Sequence, residues 1–142
     1  MNNFKFSQRS LNNLKGVHPL LVQLCQNVLS KSPYDIGILQ GVRTVEQQKI
    51  NMANGASQTM NSRHLPRDIM YQGKKINVSC AIDFSVFVNG KLTWDNKYYT
   101  EVVNVFKAEA QKMNIEITCG DDWKMRDSGH IQLSWNMFPA VR

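Results

Sequence analysis

Two histidines and two aspartates carry most of the chemistry legible in this chain. His64 sits in Asn61-Ser62-Arg63-His64-Leu65, His130 in Asp127-Ser128-Gly129-His130-Ile131-Gln132-Leu133, and Asp83 in Cys80-Ala81-Ile82-Asp83-Phe84-Ser85. Either histidine taken alone is better explained as a hydrogen-bonded structural group, and His18, ahead of Pro19, is the weakest candidate of the three. Asp83 changes the balance. A carboxylate between Ile and Phe in a strand is costly to bury unpaired, so it faces solvent, pairs with an arginine, or ligates a metal. Two imidazoles and one carboxylate leave a fourth position for water on a tetrahedral zinc, the layout of a catalytic site and not of a closed structural one. Asp127, three residues before His130, can stand beside such a water, whose pKa falls toward ~7, and take its proton. An Asx-turn is an equally natural role for Asp-Ser-Gly. Arg43, at a helix start, can hold a carboxylate or a developing oxyanion through paired hydrogen bonds. A plain surface role is disfavoured there, because the N-terminal end of a helix dipole prefers anions.

These residues need elements to position them. Pro19 suits a first helical position, and Leu20, Leu21, Leu24, Cys25 and Val28 follow at helical spacing. Lys31-Ser32-Pro33 ends that helix, and Asp35 to Gly41 reads as a short strand. Thr44-Val45-Glu46-Gln47 fits a capping box, opening a helix to about Asn54 with Gly55 as its stop. Residues 55–79 are polar and are expected to form a long surface loop, functional or mobile. Cys80 to Val88 alternates, with Ile82, Phe84 and Val86 on one face and Ala81, Asp83 and Ser85 on the other. Asn89-Gly90 is a two-residue hairpin turn, and Lys91 to Trp94 returns. Tyr99, Val102, Val103, Phe106, Ala110 and Met113 form the apolar stripe of a long helix. Strands are expected around Ile115–Cys119 and at His130–Ser134. Helices around a small, mainly antiparallel sheet make an α+β fold.

The chain has 142 residues, 42% hydrophobic and 20% charged, which fits one globular domain over 1–142 with a short N-terminal lead. Disorder and collagen-like structure are excluded by composition, and no apolar run approaches the ~20 residues of a membrane span. A formal charge of +6 suits an anionic partner: nucleic acid, cell-wall polymer or an anionic membrane face. Cys25, Cys80 and Cys119 are odd in number and widely spaced, so free, mostly buried thiols are expected. Met1 to Ser7 holds no apolar h-region, and no secretory signal is expected.

Taken in order, the motifs resemble those of the VanY-like zinc peptidases that cut peptidoglycan peptides, and most closely phage endolysins of the L-alanyl-D-glutamate peptidase type. Gly41-Val42-Arg43-Thr44 followed by Gln48 is similar to that family's Gly-x-Arg-Ser/Thr helix start. Ser62-Arg63-His64 resembles its first zinc-ligand motif, Ala81-Ile82-Asp83-Phe84 its second, and Asp127-Ser128-Gly129-His130 its general base and third ligand. Val88-Asn89-Gly90-Lys91 and Gly120-Asp121-Asp122-Trp123 are lesser likenesses. The resemblance covers about His18 to Leu133. It implies a VanY-like, D-Ala-D-Ala metallopeptidase fold, one Zn2+ held by His64, Asp83 and His130, Asp127 as catalytic base, and Arg43 near the reacting carbonyl or a substrate carboxylate. Gln48, Ser57 and Ser62 would line the substrate groove. One spacing departs from the pattern: the ligand Asp often follows the His by about seven residues, and Asp83 follows His64 by nineteen. A surface insertion costs little in closure entropy, so Asp83 stays the expected ligand, with Asp68 its rival.

The expected activity is hydrolysis of the L-alanyl-D-glutamate bond of cell-wall stem peptides by a monomeric lysis enzyme. It would be made in the host cytoplasm and let out by a separate pore-former, with no stable membrane insertion. Two other readings remain: a D-Ala-D-Ala-type carboxypeptidase on the same scaffold, and a non-enzymatic basic module binding wall polymer or nucleic acid through Arg63, Arg67, Lys74 and Lys75. No helix-turn-helix or aromatic RNA-binding signature accompanies that basic run.

Overall fold

A computed structural model describes residues 2–55, 62–124 and 126–141. The N-terminal lead contains a short helix, α1 (Gln8–Asn13), capped by Ser7, whose side chain accepts from Ser10 N. Then come α2 (Pro19–Lys31), β1 (Asp35–Gln40) and α3 (Val45–Ala53). The Thr44 hydroxyl caps α3 by accepting from Gln47 N. Beyond the 56–61 stretch lie β2 (Arg67–Tyr71), β3 (Lys74–Val78), β4 (Ala81–Val88), β5 (Lys91–Thr93), α4 (Asn96–Lys112), β6 (Ile117–Cys119) and β7 (His130–Leu133).

The main sheet runs β1-β4-β7-β6, with β5 also paired to β4, and every pairing is antiparallel. Its core face carries Ile36, Ile38, Ile82, Phe84, Val86, Ile131 and Leu133. These pack with Leu21, Leu24, Cys25 and Val28 of α2 and Val102, Val103 and Phe106 of α4. The α+β expectation is met, and Cys25, Cys80 and Cys119 are free and buried. Among the described residues, no helix is long and apolar enough to cross a membrane.

The expected loop over 55–79 is corrected. Its second half is a hairpin of β2 and β3, paired from Arg67↔Val78 to Tyr71↔Lys74. Gln72 and Gly73 turn it with φ of 51° and 77°, the same left-handed pair that Asn89 and Gly90 supply between β4 and β5. The alternation here is thin. Ile69 and Val78 are buried while Met70, Lys74, Lys75 and Asn77 face solvent, so polar composition masks the period.

Candidate active site

Strand register builds most of the site. Side chains alternate across a sheet, so with Ile82 and Phe84 in the core, Asp83 points to the opposite face. Gln40 on β1 and His130 on β7 are both registered against Asp83. Three neighbouring strands thus present Gln40, Asp83 and His130 side by side, and Gln132, two residues beyond His130, shares that face. Gly129 makes the approach of β7 possible: a Cβ there would lie 2.6 Å from Phe84 O. Phe84 N donates to Gly129 O at 2.9 Å.

His64 arrives from outside the main sheet, on the turn after Ser62. Its neighbour Arg63 is buried, with its guanidinium 4.0 Å from the Trp135 ring centroid. Arg63 donates to the carbonyls of Leu133, Ser134 and Phe138. This arginine ties the turn to the chain after β7, so it is not exposed as the alternative reading of a basic binding run with Arg67, Lys74 and Lys75 would require. Arg43 N donates to His64 O and Cys80 N to Arg63 O, both at 2.9 Å, fixing the turn between the start of α3 and β4.

The two imidazoles meet one carboxylate oxygen. His64 Nε2 lies 3.3 Å and His130 Nδ1 3.1 Å from Asp83 Oδ1, and the three ligand atoms all fall within 4.8 Å of one another. The outer nitrogens are also tied: His64 Nδ1 is 2.8 Å from Gly41 O, and His130 Nε2 is 2.8 Å from Gln132 Oε1. Oxygens of this kind only accept, so each outer nitrogen carries the hydrogen. In a neutral ring the inner nitrogen then presents a lone pair. Two lone pairs and a carboxylate aimed at one point repel unless a cation lies among them or the rings are protonated, so the donor set fits a divalent metal. In this buried group desolvation alone would raise Asp83, but the hydrogen bonds and charges of His130 and His64 hold its carboxyl well below the usual range. Burial lowers His130 most, but its hydrogen bonds to Asp83 and Gln132 and the charges of Asp83 and Asp127 together raise it above the ordinary value.

Arg43 is held by two neutral acceptors. Gln40 Oε1 accepts from Nε at 3.2 Å and from Nη2 at 2.6 Å, and Gln48 Oε1 accepts from Nη1 at 2.7 Å. Its nearest carboxylate oxygen, Asp83 Oδ2, is 3.8 Å away. Asp127 stands at the exposed rim of the site. Asp127 O accepts from His130 N and Asp127 N donates to Gly120 O, both at 3.0 Å, which seats it in the turn leading into β7. Desolvation, then the negative charge of Asp83, hold its carboxyl above the ordinary value, against the pull of His130, His64 and Arg43.

A model of the phage L-alanyl-D-glutamate peptidase family matches residues 2–139. The chain belongs to this family. The L-alanyl-D-glutamate peptidase of Escherichia phage T5 is 32% identical to it over 146 aligned positions, covering 92% of this chain and 98% of that protein. That of Listeria phage A118 is 33% identical over 102 positions; the match takes in 71% of this chain and spans 31% of that longer relative. The crystal structure of the Serratia marcescens L-Ala D-Glu endopeptidase ChiX matches with a TM-score of 0.81 at 28% identity, over 95% of this chain and 94% of that one.

In this family member the residues singled out in the sequence fall into three groups. His64, Asp83 and His130 surround one point, Arg43 lies beside Asp83, Asp127 lines a pocket that Asp83 also borders, and Gln48 is fully buried behind Arg43. The Ser62 Oγ accepts from His64 N at 3.2 Å, and Ser57 lies outside the described residues. Asp68 is not in the group that could hold a metal: it sits on β2, where its Oδ1 accepts from Asn77 Nδ2 at 3.0 Å. His18 is also apart, capping α2 by accepting from Leu20 N on its Nδ1. Three neighbours were given no role in the sequence reading: Gln40, Gln132, and Trp123, which entered only as part of a lesser likeness and whose ring lies 4.9 Å from that of His130. The i,i+2 spacing of His130 and Gln132 on a strand was the available signal for one of them.

Proposed function

We propose that this chain is a zinc-dependent endopeptidase that hydrolyses the L-alanyl-D-glutamate bond of peptidoglycan stem peptides, acting on the cell wall after release from the host cytoplasm. The observation that carries the reading is the convergence of His64 Nε2, Asp83 Oδ1 and His130 Nδ1 on one point in a member of a peptidase family. Zinc bound by these three residues would supply Lewis-acid polarisation of the scissile carbonyl and a lowered pKa for water. The chain's own residues do the rest. Gly41 O and Gln132 Oε1 fix the two ring tautomers. Asp127, with its raised affinity for a proton, accepts one from the attacking water at its carboxylate and returns it to the leaving amine of D-Glu. Arg43, oriented by Gln40 and Gln48, offers its remaining N–H groups to the oxygen that gains charge or to a substrate carboxylate. The Trp123 ring lies against that of His130, 4.9 Å between centroids and tilted by 39°.

The test is digestion of purified peptidoglycan with the protein, the chelated protein and the chelated protein resupplied with zinc, followed by mass analysis. New D-Glu amino termini, lost with chelator and restored by zinc, are expected. Release of terminal D-Ala instead would establish the carboxypeptidase alternative, and unchanged wall material would refute both.

A further inference from the structure

The site does not end at Asp127. A pocket of about 310 Å³ opens beside Asp83 and Asp127, and part of its lining is aromatic. Trp94, just after β5, is 63% exposed, yet its ring is supported, stacked on that of buried Tyr99 at 6.1 Å between centroids and 16° between planes. Tyr99 is itself fixed, since its hydroxyl donates to Thr93 O and accepts from Val86 N. Leu39 adds a second exposed apolar side chain, and Asn96 and Ser128 add an amide and a hydroxyl that already bond each other at 3.0 Å. A supported aromatic ring beside fixed polar groups suits a ligand with apolar C–H faces and polar edges.

Charge decides which part of the substrate belongs there. Arg126 lines this pocket, but its Nε is 2.7 Å from Asp121 Oδ1, so its charge is spent. The carboxylates of Asp83 and Asp127 border the same space. Arg43 does not line it; its hydrogen bonds go to neutral glutamines, with Asp83 Oδ2 no nearer than 3.8 Å, so it remains a cation available to substrate carboxylates. The D-Glu half therefore belongs on the Arg43 side, and an uncharged group belongs against Trp94. The methyl of L-Ala cannot occupy such a volume. In the wall polymer the lactyl carboxyl of N-acetylmuramic acid forms an amide with the amino group of L-Ala, which leaves the sugar an uncharged pyranose with an acetamido group. We propose that Trp94 is the platform of a subsite for this muramyl sugar, so that the enzyme reads glycan as well as peptide. The proposal rests on the peptidase reading above and adds a specificity-determining residue to it.

Two substrates with the same L-Ala-D-Glu-containing tripeptide, one N-acetylmuramylated and one only N-acetylated, separate the effects. Trp94→Ala is expected to lower kcat/KM on the muramyl substrate about ten-fold, mainly through KM, and on the sugar-free one by less than about two-fold. Trp94→Phe should recover most of the loss. Equal losses on both substrates, or none on either, would overturn the subsite. A second readout needs no turnover. In metal-free wild-type protein the indole N–H resonance of Trp94, assigned by its loss in Trp94→Phe, should shift with the uncharged N-acetylmuramyl-L-alanine amide and stay put with N-acetyl-L-alanine amide. A resonance that ignores the sugar, or follows both probes alike, refutes the proposal. If wild type cleaves neither substrate, it is the peptidase reading that has failed, and the resonance still decides the subsite.

Discussion

Asp127 and Gln132 flank His130 in sequence and serve it differently. Gln132 acts on the ring: its Oε1 takes the hydrogen on Nε2 and so turns the Nδ1 lone pair toward Asp83. Asp127 belongs to the same turn through its backbone and lines the pocket that Asp83 also borders. Their substitutions should therefore separate binding from turnover. Asp127→Asn should bind zinc as wild type does and lose about 10²–10⁴-fold in kcat; zinc binding followed by competition with a chromophoric chelator, beside the rate on a stem-peptide substrate, checks both halves. Gln132→Leu should weaken zinc about 10–100-fold in the same competition, because an unanchored imidazole loses its orientation and tautomer. An Asp127→Asn protein that turns over normally, or a Gln132→Leu protein with unaltered zinc affinity, would contradict these roles. The grouping of His64, Asp83 and His130 was legible in the sequence because these residue types are the ones that can ligate a metal. Gln40 and Gln132 were not, since an amide on a strand declares its partner only when the neighbouring strand is in register.

At the scale of elements, period decided what could be read. In the strand Ala81–Val88 the large apolar side chains Ile82, Phe84 and Val86 share one face, although Ala81 and Ser85 on the other are buried too, and the helix Asn96–Lys112 buries one stripe, so their patterns are strong. The hairpin of β2 and β3 has few buried side chains and looked like loop. Its Gln72-Gly73 turn was a weaker sign than Asn89-Gly90, although both adopt the same backbone. Glycines in the two settings should behave differently. Gly73 is left-handed, with open space where a Cβ would go, so Gly73→Ala should cost about 1 kcal/mol from backbone strain and leave zinc affinity unchanged. Gly129 meets the backbone of Phe84 between the two strands that bear Asp83 and His130. Gly129→Ala must push β7 from β4, costing about 1–3 kcal/mol and weakening zinc as well. Urea midpoints with zinc titrations of both variants test the contrast, and equal zinc affinities would show that the close approach does not set the ligand geometry.

At the scale of the molecule, the site depends on closing a long circuit of chain, and His18 sits in that closure. Arg63 binds carbonyls some seventy residues away, Val141 N donates to Asp68 O at 2.7 Å, and His18 N donates to Ser79 O at 2.9 Å. The His18 ring is fully buried, edge-on to Tyr71 and Phe138. Burial, and then the charge of Arg63, lower its pKa to about 4. The sequence offered only a histidine before a proline; that it is a neutral core group follows from packing between segments far apart in the chain. The consequence for stability has a definite sign. The unfolded chain protonates His18 near pH 6.5 and the folded chain only near 4, so between these values the unfolded state binds more protons and stability falls as pH falls. The whole shift amounts to roughly 3 kcal/mol, fully expressed below pH 4. His18→Asn retains a side-chain oxygen to cap α2 but cannot titrate. It should be less stable than wild type at pH 7.5, because the ring's packing is lost, and the gap should narrow steadily as the pH is lowered to 4.5. Chemical denaturation of the two proteins in parallel measures that gap, and because the metal-binding groups titrate in both, their contribution cancels in the difference. A gap independent of pH would mean that the His18 ring is protonated, or free to become so, inside the fold.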